Sequence, residues 1–340
     1  MERRDLNIIN NGALNWRGYQ NETILITGAT GRIGRYILEA LADADLKYNL
    51  NMRIIGLARN EEKAKQVFGD LTKLPNISFL YQDINKEINY EGDITYIFHT
   101  AGPAAPMDFK NSPTGTLWSH VNGTHNVMEC ARLHKTRRVF YVSTVEVYGD
   151  WQSEETIDEN DMGIMQHLNY RASYPEAKRL CETMLTTYKQ EYGISFCGVR
   201  LCHTLGSGIL LDDGRAFAEF MNCVLQGKDI ILHSDGSAMR TYTYVADAVN
   251  AMFLIMDKGE DILYNVAANE NLISIRDLAE LIAGFTNGKC KVMFSKEAAK
   301  LPYLPFKLAI MDTCKIRDLG WKPVVSLSQM FRWTMESYGL

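Results

Sequence analysis

Apolar and polar positions change period repeatedly along this chain. From Thr23, "TILITGA" is a short apolar run, and "GRYILEALADADL" follows with Ile37, Leu38, Leu41 and Leu46 at spacings that predict one buried helical face. "MRIIGLA", "ISFLYQD", "ITYIFHTAG", "RVFYVST" and "ISFCGVRL" predict further strands. "EEKAKQVFGDL", "TLWSHVNGTHNVMECARLH" and "PEAKRLCETMLTTYKQEYG" predict helices between them. Repeated strand–helix units imply an α/β fold with a doubly wound parallel sheet and right-handed crossovers. The acidic stretch "GDWQSEETIDENDMGIMQHLNYRAS" breaks the alternation; by charge it is a solvated loop, but loops leaving strand C-termini line the ligand crevice of such sheets.

Composition narrows this picture only a little. With 340 residues the chain can bury a full core, and with 46% hydrophobic and 23% charged residues it is ordinary for a soluble protein. A net charge of -5 gives no electrostatic reason to expect nucleic acid or an anionic membrane as partner. The first 21 residues lack the apolar core of a secretory signal, and no apolar run approaches the ~18 residues of a membrane span. Cysteines 130, 181, 197, 202, 223, 290 and 314 are scattered without a CxxC pair, which fits reduced thiols, a cytoplasmic location and no metal site.

Chemistry enters at "TGATGRIG", between the first strand and the first helix. Gly28, Gly31 and Gly34 there permit a tight turn, close approach of backbone to a pyrophosphate, and close helix–strand packing. With Thr30, Arg32 and Ile33 they form the expected dinucleotide cradle at a helix N-terminus, where free N–H groups and the helix dipole favour an anion. The second strand ends in Ala58 and Arg59 where an acid that reads the ribose of NAD is usual. Arg59 is therefore either a surface residue or a partner for the 2′-phosphate of NADP.

"RASYPEAKR" places Tyr174 and Lys178 four apart, on one helical face about 6 Å apart along the axis. An ammonium at ~4 Å is worth roughly 4 kcal/mol at an effective dielectric of ~20. That is about a thousandfold in acidity, enough to make Tyr174 a usable base near neutrality. Thr144, at the end of "RVFYVST", can orient the same hydroxyl. Glu146 follows between Val145 and Val147, either as a solvent-facing residue of the strand end or as a desolvated acid.

Taken together, "TGATGRIG", "HTAGPAAP", "VNGTHNVMECAR", "RASYPEAKR", "DGSAMRTYTYVADAVNAM" and "DTCKIRDLGWKPVVSL" resemble the extended short-chain dehydrogenase/reductase family of nucleotide-sugar epimerases, dehydratases and decarboxylases. "RASYPEAKR" and "DGRAFAEF" are especially similar to its UDP-glucuronate decarboxylase branch. The resemblance implies NAD, or NADP through Arg59, retained through turnover, a nucleoside-diphosphate sugar as substrate, and a homodimer. It implies Tyr174 as base at O4 and Thr144 beside it, with Lys178 on the nicotinamide ribose. Asp83 and Ile84 would meet the adenine, Ala101, Gly102 and Asn122 the cofactor, and His203, Arg215 and Arg240 the diphosphate or sugar.

A C4 ketone acidifies C5, so an acid/base at C5 is the next need, and a desolvated Glu146 suits it. The related 4,6-dehydratases carry an Asp before this Glu to expel a C6 hydroxyl, and the decarboxylases carry a serine there; Val145 departs from both and cannot donate that proton. Decarboxylation and epimerisation both survive the change, dehydration does not. The alternatives are a 4,6-dehydratase, an NADPH-dependent ketoreductase and a non-catalytic dinucleotide sensor. The resemblance further implies a Rossmann lobe over 22–199 and 240–265, and a substrate lobe over 200–239 and 266–340. Residues 1–21 precede them as an extra helix or an unstructured tail.

Overall fold

The computed structural model describes residues 1–339 apart from 13, 213, 261 and 296–307. Its chain order is α1 (Arg3–Ile9), β1 (Thr23–Thr27), α2 (Arg32–Tyr48), β2 (Arg53–Ala58), α3 (Glu61–Phe68), β3 (Ile77–Tyr81), β4 (Tyr96–His99), α4 (Pro106–Asn111), α5 (Pro113–Leu133) and β5 (Arg138–Thr144). Then come α6 (Ser173–Tyr192), β6 (Phe196–Leu201), β7 (His203–Leu205), α7 (Ala216–Leu225), β8 (Ile230–Leu232), β9 (Met239–Tyr244), α8 (Val245–Lys258) and β10 (Leu263–Val266). The chain closes with β11 (Leu272–Ser274), α9 (Ile275–Gly284), β12 (Val292–Phe294), α10 (Cys314–Asp318) and α11 (Leu327–Glu336).

Seven strands form one sheet in the order β10-β6-β5-β4-β1-β2-β3. Every neighbouring pair in it is parallel, so helices cover both faces and the strands read as unbroken apolar runs. The order reverses between β1 and β4, where Thr27 and His99 stand side by side. Such a switch point opens a crevice beyond the strand ends. Above those ends lie a small sheet, β11-β9-β7, and the parallel pair β8 and β12. No helix among the described residues is long and apolar enough to cross a membrane.

One side chain departs from the expected helical face. Leu46 is 66% exposed, whereas Ile37, Leu38 and Leu41 are fully buried. Leu46 lies nine residues beyond Ile37, about half a turn out of phase at 3.6 residues per turn. The acidic stretch is also less solvated than its charge implies: Ile157 is buried and pairs with Met311, and Glu159 accepts the Asn265 N–H at 2.8 Å.

Residues 3–9 resolve the open question at the N-terminus as a helix. Asp5 is fully buried and accepts from the hydroxyls of Tyr36 at 2.7 Å and Tyr244 at 2.9 Å, joining α1 to α2 and β9. Asn250 donates to the carbonyls of Ile9 and Asn11, both at 2.7 Å. Asp5→Ala, which leaves two buried phenols without their charged acceptor, is expected to cost about 2–4 kcal/mol. Urea unfolding measures this directly; an unchanged midpoint would mean that α1 is not part of the cooperative unit.

Candidate active site

The glycine turn is sterically obligatory. Gly28 has φ +67°, and a Cβ there would stand 2.8 Å from Ala101 Cα; one at Gly34 would stand 2.4 Å from the Gly28 carbonyl oxygen. Backbone therefore comes as near as atoms allow, and the first turn of α2 presents its unbonded N–H groups to the crevice. This cradle fits a dinucleotide pyrophosphate, with Thr30, Gly31, Arg32 and Ile33 around it. Arg32 Nη2 donates to the Thr204 carbonyl at 2.7 Å, tying the turn to β7.

Beside the turn, the Ala101 N–H donates to Thr27 Oγ1 at 3.3 Å, and Gly102 follows it at the end of β4. His99 bridges Thr27 Oγ1 at 2.8 Å and Thr124 Oγ1 at 3.1 Å; burial, then the Lys178 charge, push its pKa down to about 3, so the ring is neutral. Ile84 is buried against Gly123 in the middle of α5, while Asp83 accepts from the Asn85 backbone and side chain at 3.0 and 2.9 Å. Asn122 is half-buried on α5 and Arg59 is exposed before α3.

On the other side, β5 and α6 bring Thr144, Tyr174 and Lys178 together. Tyr174 is buried, and its ring stacks on Phe109 at a centroid distance of 4.4 Å. Lys178, also buried, donates to the Val142 carbonyl at 2.7 Å and lies over the Tyr141 ring. Burial, then the charge of Glu146, push the Tyr174 phenol up to about 12, and the groups that oppose this are Thr144, Arg215 and Arg171. The four-residue spacing sets both residues on one helix, but the lysine chain runs to a β5 carbonyl, and burial pulls its own pKa down to about 8.

Glu146 lies in a single 3₁₀ turn, Val145–Tyr148, whose start is fixed by its own N–H donating to Thr144 Oγ1 at 3.3 Å. Arg171 Nη2 donates to both carboxylate oxygens, at 2.9 and 2.8 Å. Desolvation raises the Glu146 pKa, against the cations of Arg171, Arg215 and Arg240. Arg171 was not foreseen from the sequence. The available signal was an arginine one helical turn before Tyr174 in "RASY", since a buried lone acid calls for a cation.

Val145 is buried in a small apolar cluster with Cys202, Ala267, Leu308 and Met311. The same wall continues into His203 and Arg240, which line one crevice with Val145. His203 meets Tyr242 edge-on at 5.6 Å; burial, then Arg240 and Arg215, push its pKa down to about 3. Arg240 Nη1 donates to the Met239 carbonyl at 2.7 Å, and Arg215 donates to that of Ala104. The neighbourhood is thus one acid, a phenol, a neutral imidazole and three arginines beside a pyrophosphate-sized cradle.

Comparison with known proteins agrees with this layout. Residues 24–267 match the model of the NAD dependent epimerase/dehydratase family. UDP-glucuronic acid decarboxylase 3 of Arabidopsis thaliana is 27% identical over 310 residues, covering 91% of this chain and 86% of that protein. UDP-glucuronic acid decarboxylase 1 of Danio rerio is 29% identical, covering 93% of this chain and 72% of that protein. Among solved structures, the UDP-glucuronic acid 4-epimerase of Bacillus cereus superposes with a TM-score of 0.77 at 20% identity, over 93% of this chain and 98% of that one.

Proposed function

The chain belongs to the NAD dependent epimerase/dehydratase family, and from that premise we propose that it oxidises C4 of a nucleoside-diphosphate uronate and then decarboxylates it at C5. The observation that carries this reading is Glu146, desolvated beside Tyr174 and Thr144, with apolar Val145 where an acid for dehydration would have to stand. The decarboxylase relatives, similar along most of the chain, support the same choice.

NAD, when bound, would supply the acceptor for the C4 hydride and its source for the final reduction. Gly28, Thr30, Gly31, Arg32, Ile33 and Gly34 would hold its pyrophosphate, with Asp83, Ile84, Ala101, Gly102 and Asn122 along its length and Lys178 at the nicotinamide ribose. Thr144 orients the sugar O4, and Tyr174 takes the O4 proton as C4 becomes a ketone. The C5–C6 bond then breaks, CO2 leaves, and its electron pair passes into the enolate at O4. Glu146 delivers a proton to C5, for which a raised carboxyl pKa is suited. Arg215, Arg240 and His203 would receive the diphosphate and sugar hydroxyls, since guanidinium forks match those oxygens.

A homodimer in the cytoplasm belongs to the same reading, with the exposed Trp118, Leu133, Leu180 and Tyr192 of α5 and α6 available at the subunit contact. Mass spectrometry of nucleotide released from the denatured, purified protein tests retention of the cofactor. The expected result is NAD at close to one per chain. Release of NADP would assign Arg59 to a 2′-phosphate, and a nucleotide-free protein would favour a ketoreductase that exchanges its cofactor each cycle.

A further inference from the structure

We infer that Arg171 determines substrate specificity: while one terminal nitrogen of its guanidinium holds Glu146, the other receives the carboxylate of the uronate. This rests on the proposed reaction at C5, but names a residue and a discrimination that the reaction alone does not require.

The geometry is that of a half-used fork. Nη2 spends its donors on the two Glu146 oxygens, at 2.9 and 2.8 Å. Nη1 is buried and has no hydrogen-bond partner among the described residues, and Arg171 as a whole is only 8% exposed. Buried donors are rarely left unmade in native proteins, and a guanidinium presents further N–H groups in the same plane. Its position is also fixed from several sides. The Arg171 N–H donates to the Asn169 side chain at 3.0 Å, and the guanidinium lies 4.7 Å from the Phe109 ring, which stacks in turn on Tyr174. The guanidinium thus shares the Phe109 ring with the phenol proposed to act at O4.

Charge explains why such a donor is needed. An acid placed for C5 necessarily meets the substituent that C5 carries. With a uronate that substituent is a second carboxylate, which Glu146 alone would repel; one guanidinium shared between the two removes the repulsion. With a neutral hexose, a hydroxymethyl group would stand there and leave Nη1 without an anionic acceptor.

Calorimetric titration of the full-length protein, as isolated with its nucleotide, with UDP-glucuronate and with UDP-glucose tests the inference. The unmodified protein is expected to favour UDP-glucuronate by about 10- to 100-fold, the size of a charge-assisted hydrogen bond. Arg171→Gln should bring that ratio close to one, chiefly by weakening UDP-glucuronate, and Arg171→Lys should recover part of it. Because the Gln variant leaves Glu146 buried without its cation, Arg171→Gln/Glu146→Gln is measured beside it and should show the same loss of preference. A double variant that binds UDP-glucose and still prefers UDP-glucuronate as the parent does would overturn the inference. Equal affinity of the unmodified protein for both sugars would also overturn it while leaving nucleotide-sugar binding intact. Binding of neither sugar by the unmodified protein would instead defeat the functional proposal.

Discussion

Tyr174→Phe is expected to lower turnover of UDP-glucuronate by roughly 10²- to 10⁴-fold, the usual contribution of a positioned acid–base group. The change removes one oxygen and little else. The ring keeps its stacking on Phe109, and a lost hydroxyl contact costs only about 1 kcal/mol, so the fold and the nucleotide content should persist. What disappears is the acceptor for the O4 proton, without which hydride cannot leave C4. The measurement is single-turnover appearance of reduced cofactor absorbance at 340 nm, alongside the thermal midpoint and the nucleotide content. A well-folded Phe variant with near-normal turnover would remove Tyr174 from the chemistry. The structure refines how the phenol would be activated. Burial, then the charge of Glu146, push the phenol up to about 12, and Thr144, Arg215 and Arg171 oppose that rise.

The legibility of this site followed the range of the interactions that build it. Six of the seven strands of the large sheet announced themselves as apolar runs, whereas the four-residue edge strand β10, arriving after a long excursion of the chain, did not; the glycine turn announced itself because Gly28 and Gly34 admit no side chain. Tyr174, Thr144 and Glu146 were legible because strand end and helix start recur at set places in the fold. Directions of side chains were not. Spacing put Lys178 on the face of Tyr174 but could not reveal that a β5 carbonyl would claim it. The Arg171–Glu146 pair joins residues 25 apart across an acidic loop, and nothing periodic links them. Leu46 shows the opposite failure, an apolar residue that looked periodic but is out of phase with its helix. The Asp5 cluster depends on contacts 31 and 239 residues away, so only the assembled structure could turn the N-terminal question into a helix.

Glu146→Gln is expected to leave C4 oxidation largely intact while slowing the C5 step by roughly 10²- to 10⁴-fold. The amide keeps the size of the acid and one acceptor for Arg171, but it has no proton to deliver. Reduced cofactor should therefore accumulate on the enzyme after UDP-glucuronate is added, because the C4 ketone forms and is not carried forward to product. Val145 sets the other half of the expectation. Its side chain lies in the apolar cluster with Cys202, Ala267 and Met311, so no group at that position can protonate a departing C6 hydroxyl. With UDP-glucose or dTDP-glucose the unmodified protein should yield little or no 4-keto-6-deoxy sugar. With UDP-glucuronate in D2O, decarboxylation should place deuterium at C5 of a pentose product, read by NMR, whereas pure C4 epimerisation would retain the carboxylate and leave C5 unlabelled. Efficient formation of the 4-keto-6-deoxy sugar by the unmodified protein would sink the assignment, since another residue would then have to supply the acid that Val145 lacks.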